Sequence, residues 1–87
     1  MYKVVIAEDA ADFIREQTKK IQRQLYKKID GLGKNPFPSN STKLKGHDQL
    51  YRIYSGPYRI IYTVKNEEII VLVLRVAHRK EAYRRLF

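Results

Sequence analysis

The hydrophobic pattern of the first forty residues changes its period once. Residues 2–6 are rich in β-branched side chains and predict a short strand. From Asp9 onwards, apolar side chains recur every three or four residues, the spacing of amphipathic helices; they are Ala10, Phe13, Ile14, Ile21, Leu25, Ile29 and Leu32. We expect Asp9 to be the N-cap, and Gly31 and Gly33 to end the helical region. The periodicity leaves open one long helix or two helices with a break near residues 17–19.

The second half of the chain changes to a strand pattern. Residues 50–54 and 57–64 alternate, and residues 69–76 form a nearly unbroken apolar run, as in a central strand covered on both faces. Residues 33–41, with two prolines, are expected to form a loop or an extended linker. A short basic helix is expected from about Lys80. The order predicts one α+β domain, residues 1–87, with helices on one face of a small antiparallel sheet.

The first predicted hairpin has the dipeptide Ser55-Gly56 where a two-residue turn would fall. That turn places Arg52 opposite Arg59. It also gathers five apolar or aromatic residues on the face that packs against the helices: Tyr51, Ile53, Tyr58, Ile60 and Tyr62. Arg52, Tyr54 and Arg59 then share the other face, which is left partly bare. The second hairpin, around residues 65–68, is less determined, so the face on which Arg75 lies stays open.

The charge of the chain is strongly basic. Eighteen Lys and Arg residues against nine Asp and Glu give a net charge of +9. Such an excess favours a polyanion such as nucleic acid, and an acidic protein partner is compatible with it. The chain has no cysteine, and His47 and His78 are not spaced like metal ligands, so we expect no disulfide, metal or cofactor. No signal peptide or membrane span is expected, and the protein is predicted to be cytoplasmic.

Arg59 is the most informative polar residue of the predicted sheet. It stands in a strand between Tyr58 and Ile60, and its guanidinium offers a fixed fork of donors suited to phosphate. Arg52 carries the same argument more weakly. The alternative for Arg59 is a structural ion pair, with Glu67, Glu68 or Asp48 as partner.

The end of the last strand gathers groups that could move a proton. His78 and Arg79 follow the apolar run, and Tyr83 lies one helical turn after Arg79 on the same predicted helix face. The alternatives are that His78 is a surface or packing residue and that Tyr83 docks the final helix on the sheet. Lys43, Lys45, Tyr54 and Arg75 are candidates for contacts with RNA.

Four segments together resemble the RelE/ParE toxin superfamily. They are Lys43-Leu44-Lys45-Gly46, Tyr51-Arg52-Ile53, Gly56-Pro57-Tyr58-Arg59-Ile60-Ile61-Tyr62 and Val76-Ala77-His78-Arg79-Lys80-Glu81-Ala82-Tyr83. The resemblance implies two helices packed as a hairpin on the sheet, in the order β-α-α-β-β-β with a short C-terminal helix. RelE-like members are ribosome-dependent endoribonucleases that cleave mRNA, whereas ParE-like members poison DNA gyrase.

The positions that match the RelE catalytic set are occupied by Arg59, Arg79 and Tyr83, and His78 matches a position that is basic or His in several branches. Where RelE has two lysines in the second strand, this chain has Arg52 and Tyr54. The spacing from Arg79 to Tyr83 is shorter than in RelE. These matches favour the RelE side of the superfamily.

The resemblance therefore implies a metal-free mRNA endoribonuclease in which the 2′-OH attacks the adjacent phosphate. Arg59 would stabilise the phosphate, Arg52 would hold the backbone, His78 or Tyr83 would take the proton, and Arg79 would assist the leaving oxygen. The implied partners are the ribosome, mRNA and an acidic cognate antitoxin. The alternatives are a ParE-like gyrase inhibitor, a non-catalytic nucleic-acid-binding module and a non-toxic member of the family.

Overall fold

The change of hydrophobic period after Ile6 marks the end of a strand and the start of a helix. A computed structural model of the protein describes residues 1–47 and 49–79. Its elements are β1 (Lys3–Ile6), α1 (Glu8–Arg15), α2 (Lys19–Lys34), β2 (Thr42–Lys43), β3 (Tyr51–Ser55), β4 (Tyr58–Lys65) and β5 (Ile70–His78). The helix expected from about Lys80 lies outside the described residues.

The strands form one sheet in the order β1-β5-β4-β3-β2. β2, β3, β4 and β5 pair antiparallel, while β1 pairs parallel to β5 at the edge. The predicted α+β class, with two helices on one sheet face, is confirmed. The sheet is mixed rather than antiparallel throughout, because its edge strand β1 runs parallel to β5.

The helical region is two helices, which answers the question that periodicity left open. α1 ends at Arg15, and α2 begins after Thr18, whose Oγ1 accepts a hydrogen bond of 3.3 Å from the N–H of Ile21. The prediction that Asp9 is the N-cap is wrong. The cap of α1 is Ala7, without a side-chain hydrogen bond, and Asp9 lies in the first turn, where a carboxylate favours the helix dipole.

The prediction that Gly31 and Gly33 end the helical region is also wrong, because α2 continues through both to Lys34. At Gly33, a Cβ atom would come within 3.1 Å of both the carbonyl oxygen of Tyr2 and Cγ2 of Val4. The carbonyl of Gly33 accepts a 2.8 Å hydrogen bond from the N–H of Tyr2. Glycine at this position therefore lets α2 approach the start of β1 closely.

The β3–β4 hairpin keeps its predicted faces but not its predicted register. Tyr54 lies opposite Arg59 and Ser55 opposite Tyr58, so the turn is Gly56-Pro57 rather than Ser55-Gly56, and Gly56 has a φ of +59°. The predicted pairing of Arg52 with Arg59 is wrong, and Arg52 lies opposite Ile61. Because each partner moves by two residues, every side chain stays on the face that alternation assigned to it.

The core lies between the helices and one face of the sheet, which we call the helix-covered face. Its strand residues include the predicted set of Tyr51, Ile53, Tyr58, Ile60 and Tyr62, joined by Val73 and Val76 from β5. Helix residues close the core from above; the buried ones are Ala10, Ile14, Leu25, Ile29 and Leu32. Burying these apolar side chains is the main force that holds the helices on the sheet.

Tyr62 places a polar group deep in this core. Its side chain is fully buried, and its hydroxyl donates a 2.7 Å hydrogen bond to the carbonyl of Pro36. Burial raises the pKa of Tyr62 above its ordinary value of 10.0. The bond ties the linker after α2 to the centre of the sheet.

A β-bulge in β5 decides the face on which Arg75 lies. Tyr62 pairs with Val73 but Ile61 pairs with Arg75, so Leu74 is an extra residue in the ladder. Without it, alternation from Val73 would turn Arg75 towards the helices. With it, Arg75 shares a face with Ile61, and Val76 returns to the helix-covered face.

Candidate functional site: the arginine face of the sheet

The sheet face opposite the helices carries the predicted phosphate-binding residues. We call it the arginine face and define it by Arg52 and Tyr54 of β3, Arg59 of β4 and Arg75 of β5. All four side chains are partly buried. The alternation of β3, β4 and β5 places these four residues from three strands on one face of the sheet.

The ring of Tyr54 contacts two of these arginines. The guanidinium carbon Cζ of Arg59 lies 5.2 Å from the centroid of the Tyr54 ring, and Cζ of Arg52 lies 5.5 Å from the same centroid. Arg52 is two residues before Tyr54 on β3, and Arg59 is directly opposite it on β4. Both distances are within the range of cation–π attraction. The ring therefore offsets part of the repulsion between two like charges held on one surface.

Arg75 lies at the edge of the arginine face, where β5 extends beyond its partner β1. Its Nε is buried and has no hydrogen-bond partner among the described residues. Arg75 also lines a groove against α1 together with Asp9, Asp12 and Glu16. It is therefore set apart from the Arg52–Tyr54–Arg59 group, although it shares their face.

A small apolar cluster lies between these charged groups. Leu44, Ile61 and Ala77 are buried together, and Leu50 packs against them. Leu44 and Leu50 belong to the segment between β2 and β3, so this segment docks on the arginine face. The cluster places apolar side chains beside the arginines, since Ile61 pairs with Arg52 and Ala77 pairs with Arg59. The sequence did not predict it, because Leu44 stands in a basic segment where the lysines are the more obvious candidates.

The predicted RNA-binding lysines lie around this docked segment. Lys45 is exposed in the turn that follows Leu44. Lys43 is exposed on β2, opposite Tyr51, which places it on the helix-covered side of the edge strand. Both lysines flank Leu44 in the chain, Lys43 before it and Lys45 after it. The contact of either lysine with RNA stays a prediction.

His78 does not lie with the arginines. It pairs with Tyr58 on β4, so its side chain belongs to the helix-covered face, whereas its neighbour Ala77 pairs with Arg59. The His78 and Tyr58 rings meet edge to face, with centroids 5.9 Å apart, and His78 is exposed. The structure therefore does not bring His78 together with Arg59. The contacts of His78 are those of a surface packing residue, the alternative given above.

Arg79 follows the last residue of β5 and is exposed. Its backbone N–H donates a 2.8 Å hydrogen bond to the carbonyl of Pro57, which fixes it beside the β3–β4 turn. Arg59 is the second residue after that turn, so Arg79 and Arg59 are at the same end of the sheet. Tyr83, the remaining predicted catalytic residue, lies outside the described residues.

The ion pairs offered as the alternative for Arg59 were expected from Glu67, Glu68 or Asp48. Glu67 and Glu68 lie in the loop after Lys65, at the far end of β4 from Arg59. Asp48 lies outside the described residues. Sequence reasoning also missed the contact of Tyr54 with both arginines. The signal was present in the spacing, since residues two apart in a strand share a face.

No helix within residues 1–47 and 49–79 is long and apolar enough to cross a membrane.

Comparison with known proteins gives consistent matches. The family profile of the ParE toxin of type II toxin-antitoxin systems, parDE, matches residues 6–83. A curated protein of Methanocaldococcus jannaschii, named RelE1 and assigned as a candidate toxin, is 32% identical over 59 residues. The match covers 64% of this chain and 66% of that relative, so the chain spans just under two thirds of the relative's length.

Solved structures extend the similarity over nearly the whole chain. The archaeal RelE–RelB complex from Pyrococcus horikoshii contains a chain with a TM-score of 0.80 and 28% identity, covering 93% of this chain and 98% of that one. The intact Escherichia coli RelBE toxin-antitoxin complex gives a TM-score of 0.76 and 30% identity, covering 90% and 96%. The family match, the curated relative and these structures agree with the two-helix, five-strand architecture, and this chain belongs to the RelE/ParE toxin superfamily, on its RelE-like branch.

Proposed function

We propose that this RelE-like toxin is a ribosome-dependent endoribonuclease that cleaves mRNA without a metal ion. The observation that carries the proposal is the placement of Arg52 and Arg59 on one sheet face, each against the ring of Tyr54. Guanidiniums held by neighbouring strands are suited to a phosphodiester, because their planar donors match phosphate oxygens. The net charge of +9 supports association with RNA.

The proposed reaction is an internal transesterification of RNA. The ribose 2′-oxygen attacks the adjacent phosphorus and loses its proton, the bond from phosphorus to the 5′-oxygen breaks, and that oxygen gains a proton. The products are a 2′,3′-cyclic phosphate and a 5′-OH end. No water, metal or cofactor enters the balance of this step.

Each residue has a separate role in the proposed reaction. Arg59 stabilises the extra negative charge of the pentacoordinate phosphorus, and preorganised charge of this kind is often the largest catalytic contribution. Arg52 holds the neighbouring backbone phosphate, and Arg79, beside the same end of β4, assists the leaving oxygen. We propose that Tyr83, rather than His78, is the base that accepts the proton of the 2′-OH, because His78 lies on the opposite sheet face. Lys45 adds contacts to RNA near the docked segment.

The test is cleavage of a defined mRNA on purified ribosomes, with mapping of the new ends. We expect the wild-type protein to leave 5′-OH ends, and Arg59→Ala to cleave about 10² to 10³-fold more slowly. Arg23→Ala is the matched control, since Arg23 is an exposed arginine on α2, away from the arginine face. Circular dichroism checks that both variants fold. A folded Arg59→Ala protein that cleaves at the parent rate would refute the proposal.

A cognate antitoxin is the second part of the proposed function. The similar RelE chains of Pyrococcus horikoshii and Escherichia coli were solved with RelB. We propose an acidic antitoxin that covers the arginine face, because like charges on one surface favour a partner of opposite sign. Co-expression with the neighbouring reading frames should yield a complex that weakens as salt rises. A complex whose affinity changes neither with salt nor with the Arg59→Ala substitution would argue against this surface.

The description of the matching family favours one alternative, a ParE-like inhibitor of DNA gyrase. Such an inhibitor binds a protein and needs no acid–base pair. It would block gyrase supercoiling in vitro, leave ribosome-bound mRNA intact, and stay toxic after substitution of His78 and Tyr83. The two assays, run on the same preparation, separate the functions.

A further inference from the structure

Tyr54 occupies a special place among the polar residues of the arginine face. It is the residue whose ring meets guanidiniums from two strands, Arg52 on its own strand and Arg59 on the next. The distances of 5.5 and 5.2 Å to one ring centroid limit the separation of the two guanidinium carbons to about 11 Å. The ring therefore keeps the two charges near each other on one face of the sheet.

We infer that Tyr54 is a positioning residue, whose ring holds the guanidiniums of Arg52 and Arg59 together in the orientation that receives the scissile phosphate. The inference rests on the proposed function, since it names what sets the geometry of that same site. Long arginine side chains lose much freedom when they are ordered, and two like charges repel each other. A rigid aromatic ring attracts both cations and carries no charge of its own.

The anchoring of the ring follows from the hairpin. Tyr54 and Arg59 face each other directly across β3 and β4, next to the tight Gly56-Pro57 turn. Such cross-strand pairs are the closest side-chain neighbours in a sheet, and the turn fixes their register. A lysine in place of Tyr54 would instead add a third cation beside the two arginines.

Two other roles for Tyr54 make different demands. As a platform for an RNA base, Tyr54 would contribute mainly to binding, and its loss would raise KM. As an acid or base, it would need its hydroxyl, so Tyr54→Phe would be as damaging as removal of the ring. A positioning ring acts through the arginines, so its loss lowers kcat, and phenylalanine replaces it.

The experiment compares Tyr54→Phe and Tyr54→Leu with the wild-type protein on ribosome-bound mRNA. We expect Tyr54→Phe to retain kcat within about twofold, and Tyr54→Leu to lower kcat by about tenfold with KM changed by less than about twofold, the size expected for loss of cation–π contacts. Tyr26→Leu is the matched control, because Tyr26 is a tyrosine on α2 that is 38% exposed. It should leave both constants unchanged.

A spectroscopic measurement tests the geometry independently of activity. The Tyr54 ring current should shift the δ-proton resonances of Arg52 and Arg59 in NMR spectra of the wild-type protein. The shift should persist in Tyr54→Phe and vanish in Tyr54→Leu, with the amide spectrum of the sheet otherwise preserved.

The outcomes separate the inference from the function on which it rests. A wild-type protein that leaves ribosome-bound mRNA intact refutes the proposed function, and the NMR shifts then decide the positioning role alone. Cleavage with equal losses in the Phe and Leu variants, a change confined to KM, or an unaffected Leu variant overturns the inference while the proposed function stands. Absence of the ring-current shifts overturns it in every case.

Discussion

The two faces of the sheet use the same three strands for opposite purposes. On the helix-covered face, Ile53, Ile60 and Tyr62 are buried almost completely beneath α1 and α2. On the arginine face, the residues that alternate with them are Arg52, Tyr54 and Arg59, all partly exposed. One face is closed by apolar contact, and the other keeps charges at its surface. Stability is therefore expected to come from the first face and recognition from the second.

Two neighbouring residues of β4 test the difference between the two faces most directly. Ile60 is fully buried, whereas Arg59, one position earlier, points to the other face. We expect Ile60→Ala to lower the free energy of unfolding by about 2–5 kcal/mol, through lost burial and the cavity that remains. Arg59→Ala should lower it by less than about 1 kcal/mol, since Arg59 lies on the face whose side chains stay partly exposed.

Urea denaturation at neutral pH measures both variants. A similar loss of stability in both would mean that Arg59 is part of the folding core, and the division between the faces would fail. A stable Arg59→Ala protein that has lost cleavage would support the division of stability and recognition between the faces.

The Tyr62 hydroxyl is a polar group buried on the helix-covered face. Tyr62→Phe removes the hydroxyl that donates to the Pro36 carbonyl, which should cost about 1 kcal/mol at neutral pH. The raised pKa of Tyr62 adds a pH dependence. Below pH 10.0 the phenol is neutral in both the folded and the unfolded chain. Above it, the unfolded chain releases the proton while the buried phenol keeps it, so the stability that this group contributes is lost as pH rises through the folded pKa.

The difference in unfolding free energy between the wild-type protein and Tyr62→Phe should therefore shrink above pH 10.0. Urea denaturation curves of both proteins between neutral pH and pH 11 measure it, and the comparison cancels the titration of the other tyrosines and lysines. A difference that stays constant across this window would contradict the burial argument.

The smallest effect is expected at His78. Its ring contacts Tyr58 on the helix-covered side and lies away from Arg59. We expect His78→Ala to change stability by less than about 0.5 kcal/mol and mRNA cleavage by less than about threefold, because His78 does not lie with Arg59. Kinetic comparison with Arg79→Ala, its neighbour beside the β3–β4 turn, provides the reference. A loss of more than tenfold in His78→Ala alone would return His78 to the catalytic group.

Alternation and helical periodicity were sufficient to predict the fold class, the two-helix arrangement as an open alternative, and the faces of β3 and β4. They were insufficient for the register of the hairpin. Both Ser55-Gly56 and Gly56-Pro57 are suitable turn residues, and a two-residue difference leaves every side chain on the same face, so the hydrophobic pattern does not distinguish them. The predicted register consequently gave Arg59 the wrong neighbour across the hairpin, Arg52 instead of Tyr54, and did not indicate the contact of Tyr54 with Arg59.

Three further features that the sequence did not predict, at the start of α1, at Arg75 and at His78, have local physical causes. The start of α1 was placed at Asp9 from its capping propensity, but the chain enters the helix directly from β1, and its carboxylates serve in the first turn instead. The face of Arg75 stays open in the sequence because residues 69–74, which precede it, are apolar throughout, and a run without alternation conceals a bulge. His78 was grouped with the arginines by closeness in sequence, which in a strand separates neighbours to opposite faces.

The bulge at Leu74 has an evolutionary consequence. Strands in the middle of a sheet ordinarily cannot lose a residue, because everything beyond the deletion turns inside out. In β5 the chain already carries one residue in excess of its partner, so a deletion of the Leu74 codon would restore a regular ladder and leave Arg75, Val76 and Ala77 facing as they do now. Length variation among descendants of this gene would thus be tolerated within a central strand, and not in its loops alone.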